Sequence, residues 1–386
     1  MMIRSIKVML IPNNKQKTKL FQYANTARFA YNWAIAREQE NYKSGGKFIS
    51  DNDLRKEFTQ LKKTNEYSWL NSISNNVTKQ AIKDACDSYK KFFKGYSKFP
   101  KFKSKKKSTP SFYQDNIKIK FSDTHVKVEG FSSSKKSNKQ KLNWIRLAEH
   151  NRIPVDCKYS NPRITFDGLN WWVSIGIEYE NNYELPTNDG IGIDLGIKDL
   201  AICSDGNVYK NINKTKRVKK LEKKRRRLQR QISRKYELNR EGRSYKKTSN
   251  IIKSEKKLLK LNHKLTNIRH NYLHQTTTEI INRKPMFIVL EDLNVVGMMK
   301  NKHLSKAIAE QCFYEFIRQM KYKCEFNGIK FIQADRFYPS SKTCSKCGSV
   351  KKDLKLSDRE YVCTECGCVI DRDKNASINL GNYGLV

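Results

Sequence analysis

Gly190-Ile-Gly-Ile-Asp-Leu-Gly-Ile-Lys-Asp-Leu-Ala-Ile202 is the stretch that sets the fold. A short apolar run with glycines reads as buried strand, and Asp194 interrupts it. Carried on to Val208, with Asp205-Gly206 as the tight turn, it reads as a β-hairpin. A second buried strand, Met286 to Leu290, runs straight into Glu291 in Met286-Phe-Ile-Val-Leu-Glu-Asp-Leu-Asn294. A helix is expected over Ser305 to Phe326 and a further strand over Ile329 to Ala334. This alternation argues for an α/β sheet domain.

Acids at the edges of buried strands are costly unless paired or bound to metal. A third acid, Asp373, stands in Asp371-Arg-Asp-Lys-Asn-Ala-Ser377. Asp371 reads as an N-cap, which places Asp373 in a first helical turn whose dipole favours anions. Gly192 and Gly196 are expected to leave room for a phosphate backbone. Convergent Asp194, Glu291 and Asp373 can hold a pair of Mg²⁺ ions, one activating water and the other stabilising the leaving oxygen.

Just before Asp373 lie two CxxC pairs, Cys344-Ser-Lys-Cys347 and Cys363-Thr-Glu-Cys366, with fifteen residues between them. Each pair bites one corner of a tetrahedral Zn²⁺, so the spacing reads as a structural zinc ribbon. Cys368 competes with Cys366 for the fourth position, although Gly348 and Gly367, each following a knuckle, favour Cys347 and Cys366. The other five cysteines are scattered singly, unlike a disulfide framework.

The charge balance points the same way. Lys and Arg number 78 against 38 Asp and Glu, a net charge of +40 spread along all 386 residues. Counterion release from a polyanion is the usual reason for such charge. Four thiols beside three carboxylates on such a chain point to a metal-dependent nuclease. The six histidines are isolated and form neither a His-Asn-His nor an HExxH pattern, which argues against a second nuclease centre. No apolar run is long enough to span a bilayer and no cleavable signal is evident, so a soluble cytoplasmic protein is expected, nucleoid-associated when on DNA.

In the N-terminal half, Ile3 to Ile11 reads as a strand with Ile6, Val8 and Leu10 on one face. Helical periodicity follows from Lys15 to about Glu57, broken at Gly45-Gly46, and again from Asn75 to Lys94. Tyr31 and Trp33 read as core. Asn76, Lys79, Gln80 and Lys83 are candidates for nucleic-acid contact, the first three to read a short duplex motif. Phe99 to Lys107 is a basic linker. Pro110 to Glu180 is β, with Ile117 to Phe121, His125 to Val128 and Trp171 to Tyr179 alternating cleanly, and Ser132 to Lys141 a polar basic loop. A small barrel, completed by the first strand and interrupted by the helices, is expected. Residues 214–281 read as a basic helical hairpin, with Lys223, Lys224, Arg225, Arg226, Arg227 and Arg230 facing a polyanion.

GIDLGIKDLA, LEDLNV and CGCVIDRDKNASINL resemble the three RuvC motifs of the TnpB family of transposon-encoded proteins, relatives of type V CRISPR effector nucleases. FYPSSKTCSKCG resembles the family's approach to its first zinc knuckle, and YNWAI (31–35) and FPKFKSKKK (99–107) resemble further family stretches. The resemblance covers nearly the whole chain, most firmly 187–380. Ser377 and Leu380 depart from the usual small and branched apolar residues of NAAxNI, and Val369-Ile370 precedes DRD; no acid is lost.

The resemblance implies a multidomain α+β protein: an RNase-H-like (RuvC) α/β nuclease domain with a zinc-ribbon insertion, a β-barrel wedge domain and an inserted helical recognition domain. On the chain these fall at 1–12 and 109–186 for the wedge, 13–108 for the recognition domain and 187–386 for the nuclease. The basic hairpin occupies 214–281 and the ribbon 338–370. The resemblance makes Asp194, Glu291 and Asp373 the metal ligands and catalytic acids. The expected function is RNA-guided, Mg²⁺-dependent cleavage of double-stranded DNA beside a short flanking motif. Its partners would be a structured guide RNA and target DNA, one chain per RNA and no membrane. The alternatives are a regulator of transposition that binds without cutting, or a transposase.

Overall fold

The computed structural model describes residues 2–131, 142–155, 157–180, 183, 185–355 and 358–385. The basic loop expected over Ser132 to Lys141 lies outside them. The chain divides into two compact units, 1–180 and 181–386. Among the described residues no helix is long and apolar enough to cross a membrane.

The first unit opens with β1 (Met2–Ile11), α1 (Asn14–Lys43), α2 (Asp51–Leu61), a 3₁₀ segment (Asn65–Ser72) and α3 (Asn75–Phe93). A capping box starts α1: Asn13 accepts from the Gln16 N–H while the Gln16 side chain accepts from the Asn13 N–H. Strands follow: β2 (Ser111–Tyr113), β3 (Lys120–Phe121), β4 (His125–Lys127), β5 (Trp144–Leu147), β6 (Tyr159–Phe166) and β7 (Trp171–Tyr179). They join β1 in one sheet of order β2-β6-β7-β1-β5-β4-β3. β1 pairs β7 from Met2↔Tyr179 to Leu10↔Trp171, then hands its end to β5. Ile6, Val8 and Leu10 face the core, as their alternation predicts. No ladder joins β2 to β3 among the described residues, so the pairing does not show the closure expected of a barrel.

The strand expected over Ile117 to Phe121 shrinks to β3. Asp115 Oδ1 accepts from the N–H groups of Ile117 and Lys118, which bends the preceding residues into an Asx turn. One buried cluster takes Val8 and Val173 from the strands and Leu20, Tyr23 and Ala81 from the helices, so sheet and helices share a core. Tyr31 lies in it, and Trp33 packs edge-on against Phe58.

The second unit begins with β8 (Ile191–Leu195), β9 (Asp199–Cys203) and β10 (Val208–Lys210). The basic hairpin is α4 (Lys216–Glu237) and α5 (Ser249–Asn282), joined through the short strands β11 (Arg240–Glu241) and β12 (Ser244–Tyr245). Then come β13 (Phe287–Glu291), α6 (Val295–Met298), α7 (Ser305–Gln311), α8 (Phe313–Phe326) and β14 (Lys330–Ala334). The unit closes with β15 (Glu360–Val362), β16 (Val369–Asp371) and α9 (Arg372–Tyr383). The main sheet has the order β10-β9-β8-β13-β14, antiparallel from β10 to β8 and parallel from β8 to β14.

Two local readings change. The hairpin expected over Ile191 to Val208 is a three-strand meander with turns at 196–198 and at Gly206, whose φ is +90°. The helix expected over Ser305 to Phe326 breaks at Cys312, a non-glycine residue at φ +56°. Gln311, just before the break, is buried and donates to the carbonyls of Gly196 (2.7 Å) and Ile197 (3.4 Å). Straight helix is given up where a side chain is needed to hold the turn after β8.

Candidate active site and zinc ribbon

The parallel register of β8 and β13 sets Ile193 opposite Leu290. The next residue on each strand is an acid, so Asp194 and Glu291 emerge side by side at the carboxyl ends of neighbouring strands. That edge is where open α/β sheets place their ligands. The third acid comes from α9, which lies on β8. A Cβ on Gly192 would fall 2.1 Å from both the Gly381 nitrogen and the Ser377 carbonyl oxygen. Gly192 is therefore the point of close helix–strand approach. The room expected there for a phosphate backbone is filled by α9.

Asp371 caps α9, accepting from the N–H groups of Asp373 (3.0 Å) and Lys374 (3.1 Å). This puts Asp373 in the first turn. Asp194 is half-buried. Burial first, then the charges of Glu291 and Asp373, hold its carboxyl well above the ordinary value of 3.8, with Arg372 opposing them. Glu291 accepts a hydrogen bond from Ser340 Oγ, and Asp373 from Arg372 Nη2 (3.1 Å), with Arg359 4.0 Å away. Among the described residues no ion pair joins a cation to Asp194, and Arg372 is the one positive charge that offsets its neighbours. Three hard oxygen donors, with Asp194 costly to ionise between the other two, fit a divalent metal site. They are spaced more widely than the cysteines, the set among the described residues whose ligand atoms all lie within 4.8 Å.

That set is Cys344, Cys347, Cys363 and Cys366. Cys344 and Cys366 sulfurs are 3.6 Å apart and those of Cys347 and Cys363 3.5 Å. Sulfurs about 2.3 Å from a tetrahedral zinc stand roughly 3.8 Å from each other, so the donor set fits Zn²⁺. Both knuckles have one design. Gly348 and Gly367, at φ +77° and +67°, send their N–H groups back to the Cys344 and Cys363 carbonyls. Cys368 serves the second knuckle with its carbonyl, which accepts from the Cys363 N–H; its sulfur stays outside the set. Two buried asparagines tie the ribbon to α9: Asn375 donates to Thr343 O, and Asn379 to Ser340 O and Thr343 O, each at 2.7 Å.

The structure separates the residues singled out for nucleic acid. On α3, Lys79 and Lys83 are exposed. Asn76 is engaged by Glu129 (3.2 Å) and Gln80 by Asp84 (2.9 Å), itself forked to Arg163. On α4, Lys223, Lys224, Arg226, Arg227 and Arg230 are exposed, whereas Arg225 turns to Glu222 at 2.7 Å. Glu222 also holds Arg269 of α5, which locks the hairpin at its base. Ser340, Arg372 and Gln311 support the acids without having been singled out for it. Ser340 and Arg372 stand inside motifs already read, while Gln311 has no sequence signal.

A parallel-extended sheet with acids at its edge, a helix bearing a third and a four-cysteine ribbon beside it define an RNase-H-like nuclease fold. Three family models match: "Cas12f1-like, TNB domain" over residues 313–380, the OrfB IS605 model described as "Probable transposase" over 174–302, and its "Helix-turn-helix domain" over 1–47. Within that span the described residues form β1 and one long helix, α1. The chain is 28% identical over 394 residues to a protein of Escherichia coli (strain K12) named "Putative RNA-guided DNA endonuclease InsQ", covering 98% of this chain and 91% of that one. It is also 28% identical over 383 residues to a Streptomyces pristinaespiralis protein named "Putative RNA-guided DNA endonuclease", covering 99% and 89%. The protein chain in a structure described as a Cas12f1–sgRNA–target DNA complex superposes with a TM-score of 0.65 at 13% identity, covering 99% of both chains. The three family models and these two relatives together support a member of the TnpB family.

Proposed function

We propose that this chain is the RNA-guided DNA endonuclease of a transposable element, cutting through one centre built from Asp194, Glu291 and Asp373. The observation that carries this reading is the convergence of those carboxylates at the carboxyl edge of the sheet, where Glu291 and Asp373 each raise the cost of ionising Asp194. The names of full-length relatives support the substrate and the guide. Two Mg²⁺ ions would be held by the three acids and, when bound, would activate water and stabilise the leaving oxygen. Ser340 fixes the orientation of Glu291, and Arg372 fixes that of Asp373. Cys344, Cys347, Cys363 and Cys366 would hold one structural zinc. A structured RNA would supply sequence by base pairing, leaving the protein to read a flanking motif and backbone shape. One chain acts per guide RNA, in the cytoplasm or on the nucleoid. The wedge is assigned to 1–12 and 109–186, the recognition helices to 13–108 and the nuclease to 187–386.

The test is to purify the chain expressed with its native flanking DNA, sequence the RNA that accompanies it, and compare Asp194→Ala with the parent. RNA and target binding are expected to persist while cleavage is lost. An Asp194→Ala protein that still cuts would remove these acids from the chemistry.

A further inference from the structure

The helices of the first unit carry a cleft that the cutting reaction leaves without a role. It has a volume of about 280 Å³. Arg55, Lys62, Lys63 and Lys79 line it together with Asn75 and Thr78, and no aspartate or glutamate faces it. Lys63 and Lys79 are exposed, while Lys62 is only 7% exposed.

Lys62 is the anomaly. Its ammonium donates to Asn75 Oδ1 (2.7 Å) and Thr78 Oγ1 (3.2 Å) and lies 5.3 Å from the centre of the Phe58 ring. All three partners are neutral. Burial and the charge of Lys79 both push its pKa down, and no carboxylate offsets them. A buried charge held by neutral groups alone costs stability that a packed apolar side chain would not. Nearby, the Nε of Arg55 is buried without a hydrogen-bond partner, although the end of its guanidinium reaches Asp51 at 2.7 Å. The cleft thus gathers positive charge around a space whose lining offers neutral acceptors and no carboxylate. Nothing in the fold itself answers that imbalance; an oxyanion would.

We propose that this cleft is a binding site for one backbone phosphate of a nucleic-acid strand, with Lys62 as its buried counter-charge. Lys63 and Lys79 form the rim and Arg55 the side wall. The site rests on the reading that the chain works on nucleic acid, and it lies in the unit that does not carry the three acids. Bound phosphate offsets the cost of the buried ammonium, so occupancy stiffens the α2–α3 junction. A lysine with a purely structural duty, tying α2 to α3, predicts a less stable variant with its phosphate response and salt slopes unchanged.

The experiment uses the full chain, freed of nucleic acid, as parent and as Lys62→Met, with Lys62→Gln read instead if the methionine variant does not fold. Thermal unfolding is followed in inorganic phosphate and in chloride at matched ionic strength. Affinity for a short DNA duplex and for the guide RNA is then measured across a salt series. The variant is expected to be at least as stable as the parent in chloride and to lose the extra stabilisation by phosphate. Its log K against log salt slope is expected to fall by about 0.9 for duplex, or about 0.7 for single-stranded RNA. The polyanion whose slope falls is the source of the phosphate. Unchanged slopes for both overturn the proposal, as does a variant less stable in chloride that still responds to phosphate. The phosphate and salt readouts do not depend on cutting, so failure of the nuclease reading would leave them interpretable.

Discussion

Asp194 ionises near 3.8 in the unfolded chain and well above that in the folded one. Between the two values the folded state binds more protons than the unfolded state, so stability falls as pH rises through that window. In chelator at neutral pH, Asp194→Asn is therefore expected to melt at a higher temperature than the parent. The gain should shrink as pH is lowered toward about 4, where both states hold the proton. Thermal unfolding at a series of pH values checks this, and added Mg²⁺ should reverse the order. Much of this was legible: an acid directly after Phe-Ile-Val-Leu, or inside Ile-Gly-Ile-Asp-Leu, is conspicuous because burial penalises it. What the chain does with Gly192 was not. A glycine beside an acid suits a phosphate or a helix equally well, and only the packing of α9 decides between them.

Elements carry the acids, and the contact of β8 with α9 sets their spacing. Gly192→Ala would press a methyl onto backbone on two sides. The expected cost is about 3 kcal/mol in denaturant unfolding, together with reduced cleavage from a displaced Asp373. The ribbon gives a second prediction. Cys344→Ser should lose zinc and loosen the segment preceding α9, whereas Cys368→Ser should keep a full equivalent, measured by metal analysis of the purified variants. The four-thiol ribbon was legible from spacing because zinc geometry tolerates few alternatives. Gly367 already favoured Cys366 over Cys368, and the knuckle's hydrogen bonds add what spacing lacks: the Cys368 carbonyl, not its sulfur, serves the knuckle. The break at Cys312 was invisible for a simpler reason: cysteine carries no turn signal, and the helical periodicity of 305–326 runs through it unbroken.

At the scale of the whole molecule, charge dominates. A net +40 makes association with any polyanion salt-dependent. Replacing Arg226 and Arg230 by alanine is expected to lower the salt slope of guide-RNA binding by about 1 to 2. Arg225→Ala should leave that slope nearly unchanged and lower the melting temperature instead, because Arg225 is spent on Glu222. The basic character of the hairpin was plain from the sequence. Which cations are spent internally was half-visible, since Glu222 lies three residues before Arg225 on the same helix.

Thr343 and Ser340, which lead into the first zinc knuckle, are stitched by Asn375 and Asn379 to the helix that bears Asp373, and Ser340 also holds Glu291. Zinc held by the ribbon would therefore govern whether the three acids are brought together, while the basic surfaces on α3 and α4 would owe nothing to it. In a zinc-starved cell the protein is expected to keep its grip on nucleic acid and lose its bite, a block on the element's DNA where there would have been a break.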